Sequence, residues 1–214
     1  RMTAAPPVVA AFDVDGTLTM RDCVRPFLER VGGRRRIAWS IVRRPFASVV
    51  AAARRDRDAV KEIVVGGVYR TRRVDEIDAL GRAFAAEVAA FGLRSDVLER
   101  LRWHQREGHH TVLVSASLRS YLAPLGERLG VDAVLCTDVA SVAGRYGDRL
   151  HGPNCRAEEK WIRLSGWMWQ AGLGRSTLWA YGDSRGDREM LAEAHHPVWV
   201  QGTTVQPVPE VIAS

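Results

Sequence analysis

Two carboxylates, Asp13 and Asp15, follow directly on an apolar, β-leaning run, Val8-Val9-Ala10-Ala11-Phe12, and lead into Gly16-Thr17. An apolar run of that length bounded by turn residues fits a buried parallel strand. Parallel sheets bind ligands just beyond the carboxyl ends of their strands. Side chains two apart on an extended strand point the same way, so a strand continued through both acids would aim them at one spot. They would repel there unless a cation lies between them or one carries a proton. Gly16 allows a tight turn and leaves its amide free to approach an anion. The competing reading is an Asp-rich strand-to-helix turn with Thr17 or Thr19 as N-cap.

Three later stretches weigh against that competing reading. Val112-Leu113-Val114-Ser115 is a second apolar strand ending in a hydroxyl, with Ser115 preferred over its near neighbour Ser117. Lys160 opens a later helix, and Leu178 to Asp187 holds a third strand ending in Gly182-Asp183 with Asp187 four residues on. Carboxylates, a hydroxyl and an ammonium at successive strand ends are the inventory of Mg²⁺-assisted phosphoryl transfer.

The set resembles the haloacid dehalogenase superfamily of phosphotransferases. Asp13-Val14-Asp15-Gly16-Thr17 looks like its first motif, Ser115 its second, Lys160 its third, and Gly182-Asp183 with Asp187 its fourth. The chain is most similar to the phosphoserine-phosphatase-like branch, which carries a helical cap between motifs one and two. The stretch Gly152-Pro153-Asn154-Cys155 also resembles that branch. The resemblance implies Asp13 as nucleophile, forming an aspartyl-phosphate, and Asp15 as general acid and then base. It implies Mg²⁺ on Asp13, the Asp15 carbonyl and Asp183, with Asp187 behind them. Ser115, Lys160 and the Gly16 amide would bind the phosphate.

The elements that must position these residues follow from periodicity and punctuation. Residues 20–92 read as helical throughout: Asp22–Val31 stopping at Gly32-Gly33, an Arg-apolar stretch to a restart at Pro45, Asp58–Val65 stopping at Gly66-Gly67, and Val74–Phe91. On either side strand and helix alternate, with a hairpin-like excursion at Val139–Leu150. The expected fold is α/β: a Rossmann-like three-layer core with a parallel sheet, formed by residues 1–19 and 93–214, plus an α-helical cap inserted at 20–92. No period is evident from Gln201 onward.

Composition is that of a folded globular protein, with 46% hydrophobic and 26% charged residues in 214. There is no apolar run of about 18 residues and no recognisable signal peptide, and the three scattered cysteines suggest neither disulfides nor zinc. A cytoplasmic location is expected. The net charge of +6 comes with no nucleic-acid motif, so nucleic acid is not indicated as a partner. The Arg-rich amphipathic stretch at 34–53 would suit an anionic membrane surface. Cap packing with solvated arginines is the favoured reading, as surface packing is for the His109-His110 and His195-His196 pairs. Most of the tryptophans are expected in core or cap packing.

The expected activity is therefore hydrolysis of a small phosphorylated substrate by a Mg²⁺-dependent phosphomonoesterase. Asp22 matches the position where phosphoserine phosphatases carry a Glu that meets the substrate amine, and Arg70, Arg72 and Arg73 are candidates for a substrate carboxylate, so an amine-bearing ester such as phosphoserine fits. The cap is longer and richer in Arg-Trp-apolar interleaving than that branch, which counts against phosphoserine itself. Alternatives are a phospholipid head-group phosphate, a phosphotransferase or phosphomutase, and a non-catalytic binding protein on the same fold.

Overall fold

The computed structural model describes residues 6–54, 56–200 and 205. The chain begins with β1 (Val8–Phe12) and continues through four helices, α1 (Val24–Val42), α2 (Pro45–Ala53), α3 (Arg57–Tyr69) and α4 (Val74–Glu87), the last extended by a π turn at Val88–Gly92. Next come α5 (Ser95–Arg106), β2 (His110–Leu118), α6 (Arg119–Leu129), β3 (Ala133–Thr137) and a hairpin of β4 (Val139–Val142) and β5 (Arg145–Leu150). After α7 (Glu158–Gln170) and β6 (Thr177–Gly182), a 3₁₀ turn at Arg185–Asp187 runs into α8 (Arg188–Ala192), and β7 (His196–Trp199) follows. The tail from residue 201, apart from Val205, lies outside the described residues.

Five strands form one sheet in the order β3-β2-β1-β6-β7, every neighbouring pair parallel. Alternation along each strand divides the core in two, which is why the runs read as continuously apolar. Val9, Ala11, Val112, Val114, Leu178 and Ala180 pack with α7 and α8 on one face. Ala10, Phe12, Leu113 and Tyr181 pack with α5 and α6 on the other. The three-layer α/β fold expected from the sequence is the fold observed. Because β1 is central, with β2 and β3 on one side and β6 and β7 on the other, the chain reverses its winding beside β1, the crevice where open α/β sheets bind ligands.

The helical segment leaves and re-enters this core through two adjacent strands of linker. Met20 N donates to Gly92 O and Arg94 N to Leu18 O, both at 2.9 Å. Within the segment, α1 is interrupted at Gly33 (φ 68°, ψ 166°), at the break the glycine pair announces, and α2 starts on Pro45. The stop expected at Gly66-Gly67 is not there: α3 runs on to Tyr69. Those glycines serve close packing instead. A Cβ on Gly66 would lie 2.1 Å from the Asp148 carbonyl oxygen of β5, and one on Gly67 would lie 2.1 Å from the Ser40 Cβ of α1. Trp39, Trp169 and Trp199 are exposed, while the other four tryptophans are partly buried. No helix among the described residues is long and apolar enough to cross a membrane. The three cysteines are unpaired and buried.

Beneath the sheet's α5 face, His104 is fully buried, with one ring nitrogen 2.9 Å from the Tyr181 hydroxyl and the other 2.8 Å from His109 Nδ1. Burial, reinforced by the neighbouring His109 and Arg100, pushes its pKa down to about 3. A histidine held neutral in the fold is protonated first in the unfolded chain, so its contribution is full above the ordinary value of about 6.5 and is lost as pH falls from there toward 3. Unfolding free energy measured by urea titration should therefore decline from pH 6.5 to 5 with a His104 contribution of up to about 1.4 kcal/mol per pH unit. The slope of His104→Gln should be shallower over that window; equal slopes would refute the assignment.

Candidate active site

β1 stops at Phe12, and the two acids after it diverge rather than pointing together as a continued strand would have them. Asp13 N donates to Tyr181 O at 2.9 Å, holding the residue level with the end of β6. Its side chain is buried, and Oδ1 accepts from Lys160 Nζ at 2.5 Å. Asp15 turns the other way: Oδ1 accepts from Cys23 N at 2.8 Å and Oδ2 from Ser117 Oγ at 2.5 Å. The turn between them depends on Gly16, whose φ is +88° and whose Cβ, if present, would lie 2.4 Å from Asp183 Oδ2. Thr17 Oγ1 donates to Asp183 Oδ1 at 3.1 Å, so the first-strand loop both makes room for Asp183 and orients it.

Lys160, in the first turn of α7, is almost wholly buried and reaches 2.5 Å to Asp187 Oδ1 as well as to Asp13. Burial alone would lower its pKa; the carboxylates of Asp13 and Asp187 outweigh that and raise it, so the ammonium keeps its proton. Asp187 is committed on both oxygens, since Oδ2 accepts from Ser184 N at 2.9 Å and from Ser184 Oγ at 2.8 Å. It closes the 184–187 turn and holds Lys160, rather than capping α8. Burial raises the carboxyls of Asp13, Asp15 and Asp183, opposed by Lys160, Ser117 and Thr17 respectively.

The serine alternatives separate on geometry. β2 runs past Ser115 to Leu118, and its register with β3 slips between those residues. The irregularity turns Ser117 toward Asp15, with Tyr121 OH donating to it at 2.8 Å. Ser115 instead lines the cavity over the site and accepts from Ser117 N at 3.1 Å. That cavity, about 1070 Å³, also takes in Asp13, Asp15, Asp22 and Lys160. Asp22 stands at its edge while accepting from Val24 N and Arg25 N, both at 3.2 Å, so it caps the start of α1 as well. Arg70 and Arg72 do not line this cavity. Arg70 lines a separate groove beside α1, and Arg72 pairs with Glu76 at 2.5 Å.

Lys61, which the motif reading did not single out, comes into the cavity, as does Asn154 of the Gly152-Pro153-Asn154-Cys155 stretch. Lys61 of α3 donates to the Ala116 carbonyl and, at 2.7 Å, to Asn154 Oδ1; Asn154 Nδ2 donates to Asp58 Oδ1 at 2.7 Å. Burial pushes Lys61 down to about 8. A signal was present in the sequence: Lys61 and Lys160 are the only lysines among 31 lysine and arginine residues, and both line the same cavity.

Oxygen atoms of Asp13, Asp183 and Asp187 all lie within 4.8 Å of one another. A donor set of carboxylates alone suits a hard divalent cation such as Mg²⁺. With both Asp187 oxygens engaged, Asp13 and Asp183 are the pair left to ligate, and the residues present fit such an ion.

The haloacid dehalogenase-like hydrolase family model matches residues 10–192. The chain belongs to this family. It is 37% identical over 191 residues to protein CicA of Caulobacter vibrioides, covering 88% of this chain and 83% of that one. Among solved structures, a protein of unknown function from Bordetella pertussis Tohama I is similar with a TM-score of 0.65 at 23% identity, covering 88% of this chain and 87% of that one. A substrate-bound phosphoserine phosphatase is similar with a TM-score of 0.62 at 13% identity, covering 90% and 84%. At these identities the structural likeness is one of fold, the phosphoserine-phosphatase-like fold of the family. The motif residues Asp13, Asp15, Ser115, Lys160, Asp183 and Asp187 all fall within the span that the family model matches.

Removing Lys160 would leave two buried carboxylates facing each other without a cation. Lys160→Met should cost about 3–5 kcal/mol of unfolding free energy. Lys160→Met combined with Asp187→Leu should recover part of that loss, measured by chemical denaturation as a double-mutant cycle. Strictly additive losses would show that the two side chains are not coupled.

Proposed function

We propose that this hydrolase is a Mg²⁺-dependent phosphomonoesterase working through an aspartyl-phosphate on Asp13. The observation that carries the reading is the convergence of Asp13, Asp183 and Asp187 beyond the carboxyl ends of β1 and β6 on Lys160 of α7, with Asp13 and Lys160 lining the cavity. Residues 20–92 act in this reading as a cap over a core of 1–19 and 93–214.

Lys160 holds Asp13 Oδ1, which leaves Oδ2 to attack phosphorus. As the Asp13–phosphorus bond forms, the bond from phosphorus to the ester oxygen breaks, and the leaving alkoxide takes a proton from Asp15. Burial favours the protonated form of Asp15, the form able to donate, and Ser117 and Cys23 N fix its direction. Water then attacks phosphorus, Asp15 takes its proton, and the bond to Asp13 breaks to release inorganic phosphate. Ser115, the Gly16 amide and Lys160 bear on the phosphoryl oxygens, where charge is greatest in the transition state. Mg²⁺ held by Asp13, Asp183 and the Asp15 carbonyl would supply charge neutralisation, letting a phosphate dianion approach the carboxylates. Lys61, reaching from the cap to the Ala116 carbonyl of β2, positions the two bodies against each other.

Phosphate release from p-nitrophenyl phosphate should require Mg²⁺ and vanish on addition of EDTA. Asp13→Asn should abolish it, and Asp15→Asn should lower kcat about 10²–10⁴-fold. Undiminished turnover by Asp13→Asn would end the proposal. For Lys61→Met the expected effect is a rise in KM that exceeds any fall in kcat, since the residue acts through cap placement and not on phosphorus. A fall confined to kcat would move Lys61 into the chemistry.

A further inference from the structure

The cavity over Asp13 is chemically two-sided. Its floor is polar: Asp13, Ser115 and Lys160 come from the core. Its walls, from α1, α2 and α3, combine an aliphatic set, Leu28, Ile37, Ile41, Ala51, Val60 and Val64, with the charged side chains of Arg25, Glu29, Arg34, Arg57 and Lys61. At about 1070 Å³ it lies just above the range of about 300–1,000 Å³ that holds drug-sized ligands. A small polar metabolite would leave those walls wet and the space largely unfilled. The cap arginines first considered for a substrate carboxylate, Arg70 and Arg72, face elsewhere.

A second observation concerns the outer surface of the same two helices. Trp39, Val42, Phe46 and Val49 lie on α1 and α2, line no part of the catalytic cavity, and are 60–82% exposed. Arginines border them: Arg35, Arg36, Arg43 and Arg44 line the neighbouring groove with Trp39. Four large exposed apolar side chains, one of them beside arginines in that groove, are not explained by cap packing with solvated charges. The combination suits an anionic lipid surface, with aromatic and aliphatic groups entering the headgroup boundary and guanidinium groups meeting phosphates.

We propose that the ester hydrolysed here carries an apolar chain, with its phosphate on Asp13 and its chain along the α1–α3 wall, and that it is taken from an anionic bilayer seated against α1 and α2. The assignment rests on the phosphomonoesterase reading and names its substrate class. A chain that contacts the walls equally before and in the transition state contributes uniform binding, so its mark is on KM and not on kcat.

The test is a series of butyl, octyl and dodecyl phosphates, each below its micelle concentration, with Mg²⁺ present. From butyl to dodecyl, KM should fall about tenfold or more at nearly constant kcat. Ile37→Glu should flatten that dependence. Because a charge at residue 37 could disturb folding, dodecyl and butyl phosphate are also titrated calorimetrically into Asp13→Asn, where the longer ester should bind more tightly without turnover. Hydrolysis of all three esters with one KM overturns the chain assignment and leaves the phosphatase reading standing. Tighter binding of dodecyl phosphate with no hydrolysis of any ester overturns the phosphatase reading and keeps the chain site. For the surface, the protein should co-sediment with phosphatidylcholine vesicles containing phosphatidylglycerol and not with pure phosphatidylcholine, and Trp39→Ser with Phe46→Ser should abolish this. Absence of co-sedimentation with either vesicle overturns the bilayer as source.

Discussion

An ammonium buried between two carboxylates sets the terms for the rest of this molecule. Lys160 lies within 2.5 Å of both Asp13 and Asp187, and all three are shut away from solvent. Charges removed from water are costly unless their geometry is met closely. The three come from the end of β1, the first turn of α7 and the turn after β6, so those segments have to meet in one arrangement. The backbone shows the constraint. Ala157, just ahead of α7, is held at φ 55°, and its N–H donates to Gly186 O at 2.9 Å, tying the start of the lysine's helix to the turn that carries Asp187. A non-glycine residue kept in that region is strain maintained by its surroundings, and it sits beside the site.

Much of the core was legible because its signals are local. β1, β2 and β6 are buried on both faces, so their apolar runs announce themselves without a partner. α7 runs over the residues its periodicity and the glycines at 172 and 174 delimit. The acids and the lysine could be read because each follows a strand or opens a helix, where chemistry is expected in this architecture. What local pattern missed was which way a side chain turns. Asp13 and Asp15 look like a converging pair, yet β1 ends before either, and the Gly16 turn sends them to different partners. Ser117 holding Asp15 depends on a slip in register between β2 and β3, a property of two strands together that neither one reveals alone.

The helical segment was less legible for a related reason. Glycine after an apolar run reads as a helix stop when only propensity is considered. At Gly66 and Gly67 the missing side chains are required by β5 and α1 crossing close to α3, contacts set by residues far away in sequence. Lys61 likewise sits in an unremarkable stretch of α3, and its role depends on Ala116 and Asn154, brought to it only by folding. Its rarity as a residue type was the readable clue. Arginine supplies nearly all the positive charge of this chain, whereas both lysines enter the one cavity. Lysine is the more compact point charge on a flexible stem, and its pKa responds to burial where a guanidinium stays charged.

The division of labour between the two parts follows from their solvents. In the proposed reaction the core stabilises concentrated negative charge at phosphorus, with fixed donors and one buried cation at the end of a rigid sheet. Selection of the substrate is left, in the proposed reading, to α1, α2 and α3, which bring both aliphatic and charged side chains to the space above Asp13. Against the aliphatic part of those walls a polar substrate would surrender hydrogen bonds to water without replacement, which costs more than aliphatic contact returns. An apolar chain surrenders nothing and gains with each methylene buried. The same helices expose Trp39 and Phe46 outward, so one pair of elements presents apolar surface to both sides. For a soluble ester the outer surface would be a liability. For an ester drawn from a lipid layer, as proposed, that outer surface has a use, and the arginines beside Trp39 match the charge of the layer they would touch.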